Sequence, residues 1–146
     1  MYKTIVLAYN GSDSGQRALL DCREIGQWSQ ARLHLVAVMA PQVAKVAVDP
    51  WAISPAVEID EKMHYRSVLD AGLRRLREAG LPAQGEVVEG YAVDEIAGVA
   101  KAVNADLIVL GHRHLDSWAE RWWRGASVSK SLIEIAPCSV LVVIAR

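Results

Sequence analysis

Residues 111–131 read GHRHLDSWAERWWRGASVSKS, and they gather the side chains best suited to holding a charged ligand. Arg113, Arg121 and Arg124 can fork onto phosphate oxygens, while Ser127 and Ser129 bring hydroxyls to what reads as a helix entry. The small residues Gly125 and Ala126 precede Ser127, and Val128 follows it. Backbone N–H groups at such an entry lack partners within the helix and sit at the positive end of its dipole, so they favour an anion. The same hydroxyls can instead cap the helix, and loop arginines are commonly just solvated. His112 and His114 form an H-x-H pair that, with His34 and His64, offers nitrogen ligands. Without carboxylates or cysteines at ligand spacing that pair ranks below a nucleotide as an explanation, so no metal is assigned. Trp118, Trp122 and Trp123 either fold over the body as core or anchor a partner.

Other chemistries leave little trace. No G-x-x-x-x-G-K-[ST] occurs, and Asn10-Gly11-Ser12-Asp13-Ser14-Gly15 stands where a dinucleotide fingerprint would follow the first strand. No serine sits in an elbow motif, and Asp13, Asp94 and Asp116 are explained by caps and turns. No catalytic residue is nominated, and the enzyme reading is limited to weak nucleotide hydrolysis.

The elements that position this segment follow from patterning. A chain of 146 residues with 52% hydrophobic and 23% charged composition reads as one domain, 1–146, able to bury its own core. The net charge of −1 supplies no global field toward nucleic acid or an anionic membrane, so neither is expected as a partner. The opening run TIVLAY is too brief for a secretory core, no apolar run approaches the roughly 20 residues that span a bilayer, and a cytoplasmic location is expected. Two cysteines, Cys22 and Cys138, make no disulfide framework and read as small core hydrophobes.

Strands are predicted over residues 4–8, 33–38, 86–89, 107–110 (ending at Gly111) and 140–144. Between them, Ala18, Leu19, Cys22 and Ile25 mark one helix, which Ser12, Asp13 or Ser14 can cap. A long helix is expected over about residues 58–79, with Gly80 and Pro82 as its stop. Ile96, Val99, Ala100 and Val103 mark a third helix, and Val128, Leu132 and Ile135 share one face of a fourth over residues 127–135. Pro41, Pro50 and Pro55 make residues 40–57 a long loop, a lid or an idle excursion, with Trp51 needing a surface to pack on. Short apolar strands alternating with amphipathic helices imply an α/β fold: an open five-stranded parallel sheet with helices on both faces. Such sheets bind ligands at the carboxyl ends of their strands, where the segment after residue 110 emerges.

On MYKTIVLAYNGSDSGQRAL, EVVEGYAVDEIAGVAK, ADLIVLGHRH and SVSKSLIEIAPCSVLVV the chain resembles the universal stress protein family over nearly its whole length. The resemblance implies a Rossmann-like sheet in the order 3-2-1-4-5 and a homodimer formed through the last strand. It implies a cytoplasmic stress-response protein holding ATP or AMP, with or without magnesium, at the ends of strands one and four. Gly111 matches the first glycine of the family's phosphate motif and His114 stands at the second. Ala126-Ser127, or Gly125-Ala126 with the loop gap shifted, falls on the closing G-[ST]; Arg113, Val128 and Ser129 flank these positions. Ala8, Tyr9 and Asn10 belong to the adenosine side, Asn10 standing where many binders have aspartate, and Val38 matches the strand-two position whose backbone reads the base. The alternative is a nucleotide-free member with no cofactor, which meets an unknown protein partner through the His/Arg/Trp loop.

Overall fold

The computed structural model describes residues 1–41, 55–113 and 128–145. Among these residues five strands alternate with four helices: β1 (Thr4–Ala8), α1 (Asp13–Ser29), β2 (Arg32–Met39), α2 (Pro55–Glu78), β3 (Ala83–Glu89), α3 (Ala92–Ala102), β4 (Leu107–Arg113), α4 (Val128–Ile135) and β5 (Ser139–Ala145). Every strand pairing is parallel, and the sheet order is β3-β2-β1-β4-β5. The strand order expected from the resemblance is the order found.

Side chains along β1 alternate between two core layers, as the pleat requires. Ile5, Leu7 and Tyr9 face the layer built with Ala18, Leu19 and Cys22 of α1 and Leu69, Leu73 and Leu76 of α2. Val6 and Ala8 face the opposite layer, closed by Ile96, Val99 and Ala100 of α3 and Leu132 of α4. Helices on both faces are what allow central strands to be apolar at every position. Cys22 is fully buried, and burial pushes its thiol up to about 12, so it packs as a hydrophobe and stays protonated.

Several boundaries and one helix face differ from the sequence expectation, among them the loop expected over 40–57, whose last three residues belong to α2 from Pro55 on. β3 starts earlier, at Ala83, because Gly85 lets the strand pass close to β2: a Cβ there would lie 2.8 Å from the Leu35 carbonyl oxygen. β4 does not stop at Gly111 but continues to Arg113, since β5 supplies partners for all three extra residues, Gly111 opposite Val143, His112 opposite Ile144 and Arg113 opposite Ala145. In α4 the buried residues are Ser129 and Leu132, one i,i+3 edge, whereas Val128 is 39% and Ile135 49% exposed. The helix is therefore turned so that Val128, expected on the core face, borders the cavity described below.

Turn chemistry follows the sequence closely. Ser12 is the N-cap of α1, its hydroxyl accepting from Gly15 N at 3.2 Å. Gly80, at φ +81, leads the chain out of α2, a conformation glycine adopts without steric cost. At the amino ends of the strands, Asp106 Oδ2 accepts from Lys3 N at 2.6 Å and Thr4 N at 2.8 Å, joining β1 to the turn before β4.

Those two backbone N–H groups hold the Asp106 carboxyl below its usual range, with Lys3 and the amino terminus adding to the effect. A depressed folded-state pKa gives stability that is present above the unfolded value and lost as pH falls through the folded one. Asp106→Ala should therefore lower Tm at neutral pH, and its thermal-melting curve should converge on that of the wild type in acid; a pH-independent difference would contradict the assignment.

Candidate functional site

The sheet order reverses between β1 and β4, and a cavity of about 190 Å³ opens there at the carboxyl ends of the strands. Its lining comes from six elements or their flanks: Ala8, Tyr9 and Asn10 at the end of β1, Gly15 of α1, Val36 and Val38 of β2, Ala92 and Ile96 of α3, Leu110 and Gly111 of β4, and Val128 of α4. Larger depressions exist, about 450 Å³ between α1 and α2 and about 560 Å³ around the amino ends of β2 and β3. Neither lies where a doubly wound sheet gathers helix N-termini over its strands.

The floor is apolar. Ala8, Val36, Val38, Leu110 and Ile96 belong to one core layer, so the cavity is that layer's open end. Its volume lies below the roughly 300–1,000 Å³ of typical drug-sized sites, which suits one flat ring system with the rest of a ligand along the rim.

Three backbone features shape the rim. Gly111 is extended strand, and its importance is close approach: a Cβ there would overlap the Ser14 carbonyl and lie 2.9 Å from Gly15 N. The end of β4 thus rests directly on the first turn of α1. Asn10 Oδ1 accepts from Ser12 N at 3.1 Å and from Ser12 Oγ at 2.6 Å, an Asx turn that fixes the loop between β1 and α1. Gly15 keeps room for this arrangement, because a Cβ there would stand 2.9 Å from Asn10 Oδ1.

Tyr9 borders the cavity, but its ring is turned into the opposite core layer against Gly72, where a Cβ would meet Tyr9 Cε1 at 2.6 Å. Gln16 Nε2 donates to the Tyr9 phenol oxygen at 2.7 Å, and Arg75 Nη1 donates to Gln16 Oε1 at 2.5 Å, tying β1, α1 and α2 together. Burial raises the phenol's pKa, the Arg75 charge and the Gln16 hydrogen bond working the other way.

Of the residues singled out in the sequence, Ala8, Tyr9, Asn10, Val38, Gly111 and Val128 come together on this lining. Ser129 is buried one residue further along α4. Arg113 closes β4, the nature of its side-chain contacts lying outside the described residues, as do His114, Gly125, Ala126, Ser127 and the tryptophans Trp51, Trp118, Trp122 and Trp123. The other histidines stay on separate elements: His34 contacts Glu86 at 3.1 Å, and His64 meets Tyr65 edge-on at 5.9 Å between ring centroids. Gly15, Val36, Ala92, Ile96 and Leu110 were not nominated from sequence. Their positions at strand ends and helix starts were the available signal.

A model of the Universal stress protein family matches residues 1–143. A universal stress protein of Thermus aquaticus is 34% identical over 146 residues, covering 98% of this chain and 99% of that protein. A universal stress protein crystallised in complex with cAMP is 26% identical with a TM-score of 0.71, covering 99% of this chain and 98% of the other. A family member from Burkholderia pseudomallei is 27% identical with a TM-score of 0.74, covering 99% and 97%.

Close packing at Gly111 makes a specific demand. Gly111→Ala should destabilise the protein by about 1–3 kcal/mol, because its neighbour is backbone and cannot rotate aside. Urea unfolding would show this as a lower midpoint at an unchanged slope, and wild-type stability would refute the close approach.

Proposed function

The chain belongs to the universal stress protein family, and from that premise we propose that it binds an adenine nucleotide at the carboxyl ends of β1 and β4. The observation that carries this reading is the cavity at the sheet's reversal point: apolar where a base would enter and, among the described residues, polar at the rim through Asn10 and backbone. The cAMP complex of a 26% identical relative supports the ligand class. An adenine nucleotide is the class we assign; ATP and AMP are the members the family likeness suggests, and each would direct its 5′-phosphates toward the start of α4 and the hydroxyls of Ser127 and Ser129, with magnesium accompanying ATP.

We further assign a stress-response role in the cytoplasm, with nucleotide held as a signal and turnover at most weak. Among the described residues no helix is long and apolar enough to cross a membrane. A homodimer through β5 completes the reading. β5 pairs with β4 on one side only, and Ile144 at 49% and Ile133 at 60% exposure place apolar surface on that strand and on α4. An open edge strand with apolar side chains invites pairing with a second copy. Ile144→Lys should shift the mass measured by light scattering from dimer to monomer, and an unchanged mass would place the interface elsewhere.

Nucleotide binding is tested by melting. ATP or AMP should raise Tm in proportion to the logarithm of its concentration, a stabilisation of about 2.7 kcal/mol at a hundredfold excess over Kd. Ser127→Ala and Gly111→Val should each reduce that shift. A melting curve unmoved by millimolar nucleotide, from protein that releases no adenine absorbance on denaturation, would overturn the assignment in favour of a nucleotide-free interaction protein.

A further inference from the structure

Asn10 is placed to decide which nucleotide the cavity accepts. Of the two polar side chains on the described lining, Tyr9 commits its phenol to Gln16 in the opposite core layer, which leaves Asn10. The orientation of its amide is settled by chemistry: Ser12 N–H can only donate, so the atom facing it at 3.1 Å must be the Asn10 oxygen. The Ser12 hydroxyl donates to that same oxygen at 2.6 Å, while its own oxygen accepts from Gly15 N at 3.2 Å. Both lone pairs of Oδ1 are therefore taken, and Asn10 can offer a ligand only its NH₂ donors.

A ligand whose ring fills the apolar floor must carry its sugar past this rim. A sugar with a free 2′,3′-diol can accept from the Asn10 NH₂ only through neutral hydroxyl oxygens, and its two hydroxyl hydrogens find no free acceptor on Asn10. A 3′,5′-cyclic phosphate removes the 3′ hydroxyl hydrogen and supplies acceptor oxygens bearing negative charge, which match an NH₂ donor and form the stronger, charge-assisted kind of hydrogen bond. Among the described residues no carboxylate lines the cavity, so nothing on that lining repels the anion.

We propose that Asn10 makes this site selective for an adenine nucleotide with a 3′,5′-cyclic phosphate over one with a free 2′,3′-diol, a specificity that rests on the adenine-nucleotide reading above. Asn10→Asp tests it with almost no change of shape. One carboxylate oxygen keeps the Ser12 contacts, and the other becomes a charged acceptor at the rim, which reverses the polarity offered to the sugar.

Calorimetric titration of the full chain and of Asn10→Asp with 3′,5′-cyclic AMP and with AMP, at neutral pH, separates the outcomes. The wild type should bind cyclic AMP more tightly than AMP, and the ratio of the two affinities should move toward AMP by about tenfold or more in Asn10→Asp, the size expected when a charged hydrogen bond is exchanged for repulsion. Ser12→Ala, which frees Oδ1 to accept again, should move the ratio the same way by less. AMP bound as tightly as cyclic AMP by the wild type, or a ratio unchanged in Asn10→Asp, would overturn the specificity and leave the nucleotide site standing. Binding of neither ligand to a protein that melts normally would remove the nucleotide reading itself, and this inference with it.

Discussion

The end of β4 touches the first turn of α1 backbone to backbone, with no side chain between Gly111 and Ser14. Much of the site depends on that approach. It brings the N-terminus of a helix on one face of the sheet up to the open end of the core layer on the other face. A larger residue at position 111 would push α1 away and carry Gly15 and the Asn10 loop with it. The same contact lets β4 run on to Arg113 and keep β5 in register to its last residue, so the site and the open sheet edge share one support.

The loop after β1 is held twice, by different means. On the cavity side Asn10 and Ser12 close an Asx turn that also caps α1, joining turn geometry and helix initiation in a single hydrogen-bonded unit. On the far side Tyr9, Gln16 and Arg75 link β1 to both covering helices, with the ring seated over Gly72. Neighbouring residues on a strand point to opposite faces, so Tyr9 can anchor one layer while Ala8 and Asn10 shape the other. Among the described residues that division leaves the site's polar surface thin. Selectivity then falls on a few fixed groups, as in ligand sites generally, where apolar walls give space and sparse polar atoms give orientation.

Much of the architecture was legible along the chain. TIVLA, bounded by turn residues, is the strand it reads as, and the stop written by Gly80 and Pro82 ends α2 where expected. Errors clustered where a local pattern met a tertiary requirement. Gln84 and Gly85 interrupt the apolar run of β3, yet the strand includes them because β2 needs a partner without a side chain at Gly85. Periodicity put Val128 and Ile135 on the buried face of α4, and packing rotated that face to Ser129 and Leu132. The positions Ala8, Tyr9, Asn10, Val38 and Gly111 were named from resemblance and do converge, while Val36, Ile96 and Leu110 of the apolar floor were missed because such residues look no different from core.

By itself the sequence determined the alternation of strand and helix and the caps and stops, which depend on residues near one another in the chain, and the near-zero net charge, which depends on composition alone. Only the tertiary structure decided that Gly111 serves by having no side chain against Ser14, that Tyr9 faces away from the cavity, and that the Asn10 oxygen is already spoken for. Those facts concern distances between segments far apart in sequence and the direction of single polar atoms. Periodicity carries neither kind of information, because it reports which face a residue occupies and not what it meets there.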